Sequence, residues 1–430
     1  MPPRTLAEWL AWQEAVHPHS IDMGLERVAR VARALGVQTL PAAVLTVGGT
    51  NGKGSVAAHL EALLAAGGAR VGLFTSPHLV RYHERIRVEG REVTDAQLLD
   101  AFERIEQARG ATTLTFFEYN TLAALLIFRD SAVQAAVLEV GLGGRLDATN
   151  LIDADVAVLV SVGIDHQEWL GDSLESIGAE KAGIFRSGRP AVLGSAQMPA
   201  SVSGAIARLG VLAVTAERDF SWRIREAGGA WDYRGLAHSF EGLPPPALAG
   251  SIQYRNAATA LAAVEALRAY GGAALRPPLD GALVARALAA VRLAGRFQVV
   301  PGPVEWILDI AHNEPAAHVL AAQLQARPLP AGARTYGVLG VLADKDAAAI
   351  AAALAPVVDH FIACALPGPR GGSAEQLVAR LGLPAARIDR ARSVLAGCEL
   401  ARQRAVPGDR VLVCGSLHTV GPALEWLRIY

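Results

Sequence analysis

The apolar run Ala43-Val44-Leu45-Thr46-Val47, leading into Gly49-Thr50-Asn51-Gly52-Lys53-Gly54-Ser55, constrains this chain more than any other stretch. A short, continuous, β-branched run reads as a strand buried on both faces, the kind found in parallel sheets. The glycines that follow let backbone N–H groups turn onto phosphate oxygens, Lys53 adds a point charge, and Ser55 opens a helix whose N-terminus favours an anion. Strong helix formers continue to Ala66 and stop at Gly67-Gly68. The loop differs from the general G-x-x-x-x-G-K-[ST] pattern, since Val47 stands at the first glycine and Gly54 at the hydroxyl position. A phosphate-binding enzyme domain is the expectation, against a plain glycine turn between strand and helix.

Further short apolar runs, Val71–Phe74, Ala136–Val140 and Val156–Val160, alternate with helical patterns and extend the parallel α/β sheet. The segment from Phe220 to Phe240, polar and aromatic around Gly228-Gly229, reads as a small antiparallel hairpin. After Arg292-Leu293-Ala294-Gly295-Arg296 the strand and helix alternation restarts, with strands at Val304–Asp309, Tyr336–Leu339, His360–Ala363 and Val411–Cys414. The expectation is a phosphate-loop domain over 1–294 and a second Rossmann-like α/β domain over 295–430. A chain of 430 residues, 52% hydrophobic, exceeds one hydrophobic core, which agrees with two domains. Its formal net charge of −1 gives no bulk attraction to nucleic acid or anionic membrane. Cys364, Cys398 and Cys414 lack the spacing of a disulfide framework or zinc site. No apolar stretch reaches the roughly eighteen residues that span a bilayer, so a soluble cytoplasmic monomer is expected.

Open parallel sheets bind ligands beyond the carboxyl ends of their strands. The residues there are Ser76, Glu139, Asp165-His166, Asp309 and Ser416. Glu139 ending a buried strand suits magnesium between nucleotide phosphates, with a salt bridge to Arg145 as the alternative. A lone His166 at a strand end is more often a hydrogen-bonded structural residue than a metal ligand. Lys181 has three readings: a phosphate contact, an anionic metal ligand once carbamylated, or a surface ion pair. In the second domain, Arg296 is either an exposed linker charge or an arm toward a phosphate across closing domains. The basic loop Pro367–Gly372 is either a substrate contact or plain surface.

Taken together, Gly49–Ser55, Ser76-Pro77-His78-Leu79, Phe117-Glu118-Tyr119, Leu138–Asn150, Asp165-His166, Glu180-Lys181-Ala182-Gly183, Asn256-Ala257-Ala258, Gly295-Arg296-Phe297-Gln298, Asp309-Ile310-Ala311-His312-Asn313 and Cys414-Gly415-Ser416 resemble the folylpolyglutamate synthase family of the Mur ligase superfamily. The resemblance implies an ATP-dependent ligase that joins L-glutamate to the carboxylate of dihydropteroate and to reduced folates through an acyl phosphate. It implies ATP phosphates on Gly49, Thr50, Asn51, Gly52, Lys53, Gly54 and Ser55, nucleotide contacts from Asn256, Arg296 and Asp309, and two Mg2+ ions on Ser76, Glu139, His166 and a carbamylated Lys181. Lys53, Lys181, His166 and Arg296 form the implied catalytic set. Asp22, Met23, Thr115, Phe116, Phe117, Glu118 and Asp147 are the implied pterin-side residues, and His312 and Ser416 serve the incoming glutamate. Phe116 and Phe117, taken as strand neighbours, would point to opposite faces. Gly48, Asn120 and Glu314 depart from the family pattern without removing a required group. Rival readings are a folylpolyglutamate synthase alone, a cell-wall amino-acid ligase of the same superfamily, and a phosphate-loop switch protein.

Overall fold

A computed structural model describes residues 3–225, 229–270 and 278–430. The chain forms two compact units: one holds the described residues up to Pro77 with Tyr82–Ala247 and Tyr254–Val291, the other His78–Arg81, Leu248–Gln253 and Arg292–Tyr430. Two short segments flanked on both sides by the first unit therefore belong to the second.

The first unit is built on an eight-stranded sheet. Its strands are β1 (Ala43–Gly48), β2 (Val71–Phe74), β3 (Ile86–Val88), β4 (Arg91–Glu92), β5 (Ala135–Glu139), β6 (Val156–Leu159), β7 (Pro190–Leu193) and β8 (Leu212–Thr215), in the order β4-β3-β2-β5-β1-β6-β7-β8. Six strands run parallel, and the β3–β4 hairpin closes one edge antiparallel. All six residues of β1 are buried. Its alternating side chains feed two cores, because successive residues of a strand point to opposite faces. Leu45 and Val47 join the cluster with Val56, Leu60 and Leu261, whereas Val44 joins Phe74, Phe102 and Leu138. Each such side chain taken wholly from water contributes roughly 1.5–3 kcal/mol.

Helices α1 (Leu6–Ala15) and α2 (Glu26–Leu35) precede β1, and α3 (Lys53–Ala66) follows it. The phosphate-loop helix starts at Lys53, two residues before the expected Ser55, because Gly52 adopts a left-handed φ of 89° and caps it. Next come α4 (Asp95–Arg109) and α5 (Phe116–Asp130). Phe116 and Phe117 thus open a helix and do not lie on a strand: the Thr115 side chain accepts the Glu118 N–H while the Glu118 carboxylate accepts that of Thr115. The short α6 (Gln167–Leu170), α7 (Leu174–Ala182) and α8 (Ala200–Leu209) complete the crossovers. The expected hairpin is a three-stranded antiparallel sheet, β9 (Ser221–Ile224), β10 (Trp231–Arg234) and β11 (Ser239–Leu243), and Gly228 of its expected turn lies outside the described residues. Helices α9 (Ile252–Tyr270) and α10 (Gly281–Ala290) close the unit. Glu265 on α9 fastens the small sheet by accepting from Tyr233 Oη, the Leu236, Ala237 and His238 N–H groups and the His238 ring.

The second unit carries β12 (Gln298–Val300), β13 (Glu305–Leu308), β14 (Thr335–Leu339), β15 (His360–Cys364), β16 (Ile388–Ala391) and β17 (Arg410–Cys414), ordered β12-β13-β17-β14-β15-β16. Only β12 pairs antiparallel. Its helices are α11 (Glu314–Gln325), α12 (Ala347–Leu354), α13 (Ala374–Leu381), α14 (Val394–Arg404) and α15 (Leu417–Leu427). Insertion of β17 between β13 and β14 sets the ends of those three strands side by side. The three cysteines are buried free thiols. Among the described residues no helix is long and apolar enough to cross a membrane.

Candidate active site

Register aligns Val47 of β1 with Glu139 of β5, and Gly48 with Leu159 of β6, so the glycine loop leaves the sheet level with its neighbours' ends. Gly49 has φ 146° and Gly52 φ 89°; a side chain at Gly52 would meet Val160 Cγ1 at 3.0 Å and Asn256 Oδ1 at 3.1 Å. Only glycine fits there. Thr50 and Asn51 spend their bonds holding the loop. Thr50 Oγ1 donates to Gly163 O (3.0 Å) and accepts from Gly163 N (2.9 Å), and Asn51 N donates to Ser161 Oγ (3.1 Å). What remains for a ligand is the first turn of α3, whose N–H groups have no intrahelical acceptor and whose dipole favours negative charge. Gly54 and Ser55 are buried in that turn, and His59 Nδ1 lies 2.7 Å from Ser55 O.

Two cations converge on this turn. Lys53 Nζ donates to Gly49 O (3.1 Å) and Thr50 O (3.2 Å), and Lys181 Nζ donates to the same Gly49 carbonyl (3.1 Å). Lys181 is 4% exposed, so the surface ion-pair reading fails. Burial, and then the charge of Lys53, pull its pKa down to about 7, while Asp165 and Asp147 act in the opposite sense. Two amines on one carbonyl at a helix N-terminus favour a polyanion. Asn256, buried on α9, brings its side-chain oxygen to Gly52.

At the neighbouring strand end, the Ser76 N–H donates to Glu139 Oε2 (3.2 Å), and Glu139 is buried. Arg145 pairs instead with Glu180, through Nε at 3.0 Å and Nη2 at 2.8 Å, so the alternative partner for Glu139 is spoken for. Arg85, unmarked by the sequence reading, is buried with its guanidinium 5.4 Å over the Phe116 ring and 5.9 Å over that of Tyr82. Burial lowers its pKa, and the charges of Tyr82, Glu84 and Glu139 oppose that. His166 takes a left-handed φ of 52°, rare for a side chain of its size, and its N–H is held by Asp165 Oδ1 at 2.8 Å. No cluster of three or more His, Cys, Asp or Glu converges among the described residues. Of the residues at these strand ends, Ser76, Glu139 and His166 could supply ligands to a divalent ion, with water completing its shell.

Two of the residues expected on the pterin side, Asp22 and Glu118, meet at Arg27, which the sequence reading missed. Its Nη1 donates to Asp22 Oδ2 (2.6 Å) and its Nη2 to Asp22 O (2.8 Å) and Glu118 Oε1 (3.3 Å). His17 bridges Asp22 Oδ2 (3.1 Å) and Thr113 Oγ1 (2.9 Å). Burial pushes the Glu118 carboxyl up, against the pull of the Thr115 N–H and Arg27. Phe116 and Phe117 diverge: Phe116 faces Tyr82, while Phe117 lies 5.7 Å from the Phe74 ring and against Gly141, where a Cβ would sit 2.6 Å from its Cζ. Met23 Cε lies 3.5 Å from where a Gly143 side chain would be. Asp147 organises the loop it stands on. Its carboxylate accepts from Gly141 N, Leu142 N, Thr149 N and Thr149 Oγ1 at 2.6–3.0 Å, which fills its lone pairs and shapes the Gly141–Gly144 turn.

In the second unit, Asp309 follows β13 and is fixed by the Phe297 and Ala311 N–H groups, both at 2.8 Å. Burial raises its pKa, and among the opposing charges that of Arg296 is largest. Arg296 is part-buried in a turn closed by Gly295 N to Gln298 Oε1 (3.0 Å) and Ile310 N to Gly295 O (3.1 Å), so it is no loose linker charge. His312 Nδ1 lies 3.0 Å from Ile310 O. Ser416 caps α15 by accepting the His418 N–H (3.1 Å). Asp309 and Ser416 follow adjacent strands, β13 and β17. The Pro367–Gly372 loop is tied down by the bidentate Arg370–Asp344 pair.

Two family models match this chain, the Mur ligase middle domain over residues 47–195 and the Mur ligase glutamate ligase domain over residues 295–417. The chain is 44% identical over 421 residues to the dihydrofolate synthase/folylpolyglutamate synthase of Escherichia coli (strain K12), covering 98% of this chain and 95% of that one. It is 35% identical over 391 residues to the Mycobacterium tuberculosis protein of the same description, covering 84% and 78%. Among solved structures, E. coli FolC in complex with DHPP and ADP superposes with a TM-score of 0.92 at 42% identity, covering 100% of this chain and 99% of that one. A bifunctional folylpolyglutamate synthase/dihydrofolate synthase with Mn, AMPPNP and L-glutamate bound gives 0.89 at 40%, covering 99% and 98%.

Proposed function

The chain belongs to the Mur ligase family and is an ATP-dependent ligase of the dihydrofolate synthase/folylpolyglutamate synthase kind; from that premise we propose how its own residues carry the reaction. ATP transfers its γ-phosphoryl group to the carboxylate of dihydropteroate, giving an acyl phosphate and ADP. The α-amine of L-glutamate then attacks the acyl carbon, the amide forms, a proton is lost and phosphate leaves. The γ-carboxylate of a reduced folate enters a second reaction of the same form. A free carboxylate is a poor electrophile because it is anionic and lacks a leaving group, and phosphorylation corrects both.

One observation carries this reading: Lys53 and Lys181 share the Gly49 carbonyl beside the first turn of α3, next to the Ser76–Glu139 pair. That arrangement stabilises charge moving between phosphoryl oxygens. Ser76, Glu139 and His166 would hold magnesium, two ions in the full site, which neutralises phosphate charge. Lys181 is suited to carbamylation: with a pKa near 7, much of its amine is neutral at physiological pH, and addition of carbon dioxide turns a repelling cation into an anionic ligand. Asn256, Arg296 and Asp309 serve the nucleotide. Asp22, Met23, Thr115, Phe116, Phe117 and Glu118 line the pterin side, with Asp147 holding their loop. His312 and Ser416 serve the glutamate. The enzyme works as a cytoplasmic monomer on small molecules. The test supplies ATP and dihydropteroate with and without glutamate, and tetrahydrofolate separately, and weighs the products. Dihydrofolate and lengthened folates should form only with glutamate; ATP hydrolysis without either product would refute the assignment.

A further inference from the structure

Arg255 lies on α9, one residue before Asn256. It is part-buried, its Nε is buried with no hydrogen-bond partner, and its side chain forms no ion pair or hydrogen bond among the described residues. Burial lowers its pKa with no charge in opposition. Other arginines near the sheet are satisfied: Arg27 by Asp22, Arg145 by Glu180, Arg186 by Asp153 and Arg189 by Asp155. A guanidinium taken from water without a counter-charge is costly, and such a group persists where it has another use.

Its position says what that use is. Thr259 shares a helix face with Arg255, four residues away, and donates its hydroxyl to the Arg255 carbonyl (2.8 Å). Thr259 packs where β6 and β7 end: a side chain on Gly194 would meet Thr259 Oγ1 at 3.2 Å and Val160 O at 2.7 Å. One turn toward the N-terminus of α9, Asn256 reaches Gly52 of the phosphate loop. The helix thus climbs from the strand ends into the carboxyl-edge crevice, and Arg255 sits on its leading turn. Val160 also touches the phosphate loop, since a side chain on Gly49 or Gly52 would meet it at 3.0–3.2 Å, so the Arg255 and Thr259 face of α9 borders that loop.

We propose that Arg255 is a nucleotide-binding residue that contacts the polyphosphate of ATP, a cationic arm in addition to Lys53. This rests on the ATP site assigned above. A planar fork gives two parallel bonds to phosphate oxygens, which an ammonium cannot. With no partner among the described residues, the group is open to this ligand.

The test compares wild type, Arg255→Met and Arg255→Lys by calorimetric titration with ATP, ADP and adenosine, together with thermal unfolding of the ligand-free proteins. Arg255→Met should bind ATP and ADP about tenfold more weakly and adenosine unchanged, Arg255→Lys should fall between, and the ligand-free Met variant should unfold at the same or a higher temperature. Unchanged ATP affinity in the folded variants, or an equal loss for adenosine, would overturn the proposal. A wild-type protein that binds no ATP would overturn the site assignment itself, whereas a wild type that makes product beside an unaffected Arg255→Met sinks the arginine's role alone.

Discussion

Lowering the pH should destabilise the first unit through His59. This histidine is fully buried on α3, with Nδ1 at 2.7 Å from Ser55 O and Nε2 buried without a partner. Burial, opposed only by the Ser55 carbonyl, takes its pKa from an ordinary 6.5 to about 4. The unfolded chain then binds a proton that the folded chain refuses between those values, so stability falls as pH drops through 6.5 and levels off below about 4. Fully expressed, the difference is worth about 3 kcal/mol, of which about 2 kcal/mol is lost by about pH 5.

 The assay is urea unfolding, followed by the fluorescence of Trp9, Trp12, Trp169, Trp222 and Trp231, which all lie in this unit. It compares wild type with His59→Gln, whose side chain does not titrate. Between about pH 7 and about pH 5 the wild type should lose about 2 kcal/mol more than the variant. Equal losses would refute the reasoning, because the buried imidazole would then not be the group that resists protonation.

Other substitutions separate the parts of the site. Gly52→Ala forces a side chain into a left-handed backbone against Val160 and Asn256; it should cost about 1–2 kcal/mol in backbone energy and weaken ATP at least tenfold in a fluorescent-nucleotide titration. Gly141→Ala would drive a methyl into the Phe117 ring, so the KM for dihydropteroate should rise several-fold while nucleotide affinity holds. Lys181→Ala should abolish turnover, and short carboxylic acids added to the assay should restore part of it; a fully active variant would rule out the carbamate.

The elements that the sequence revealed are those whose signal is contiguous. β1 and the glycine loop can be read from a dozen neighbouring residues, and the restart of alternation after Gly295 marks the second sheet because the central strands there are mostly apolar. Strand β16 carries Asp389 and Arg390 among its four residues and so gives no apolar run, and β7 and β8 escaped the reading although they are as long as β2 and β6. Thr115–Phe117 looks like a strand because threonine and phenylalanine favour one. The capping signature Thr115-x-x-Glu118 was present and would have corrected it. Arg27, Arg85 and His17 could not be recognised, since a charged residue in sequence looks solvated until the fold supplies its partners from distant segments. Lys181 shows the same limit: its neighbour Glu180 faces Arg145, while one step around the helix the lysine is buried against Gly49.

The central claim is that this enzyme activates a carboxylate by phosphorylating it, and an oxygen-transfer experiment tests it most directly. Dihydropteroate labelled with heavy oxygen in its carboxylate is turned over with ATP and L-glutamate, and the released phosphate is weighed. The account predicts one labelled oxygen in the phosphate for each dihydrofolate formed, because the bond to the phosphorylated oxygen breaks when the amine attacks. Unlabelled phosphate alongside dihydrofolate would contradict it.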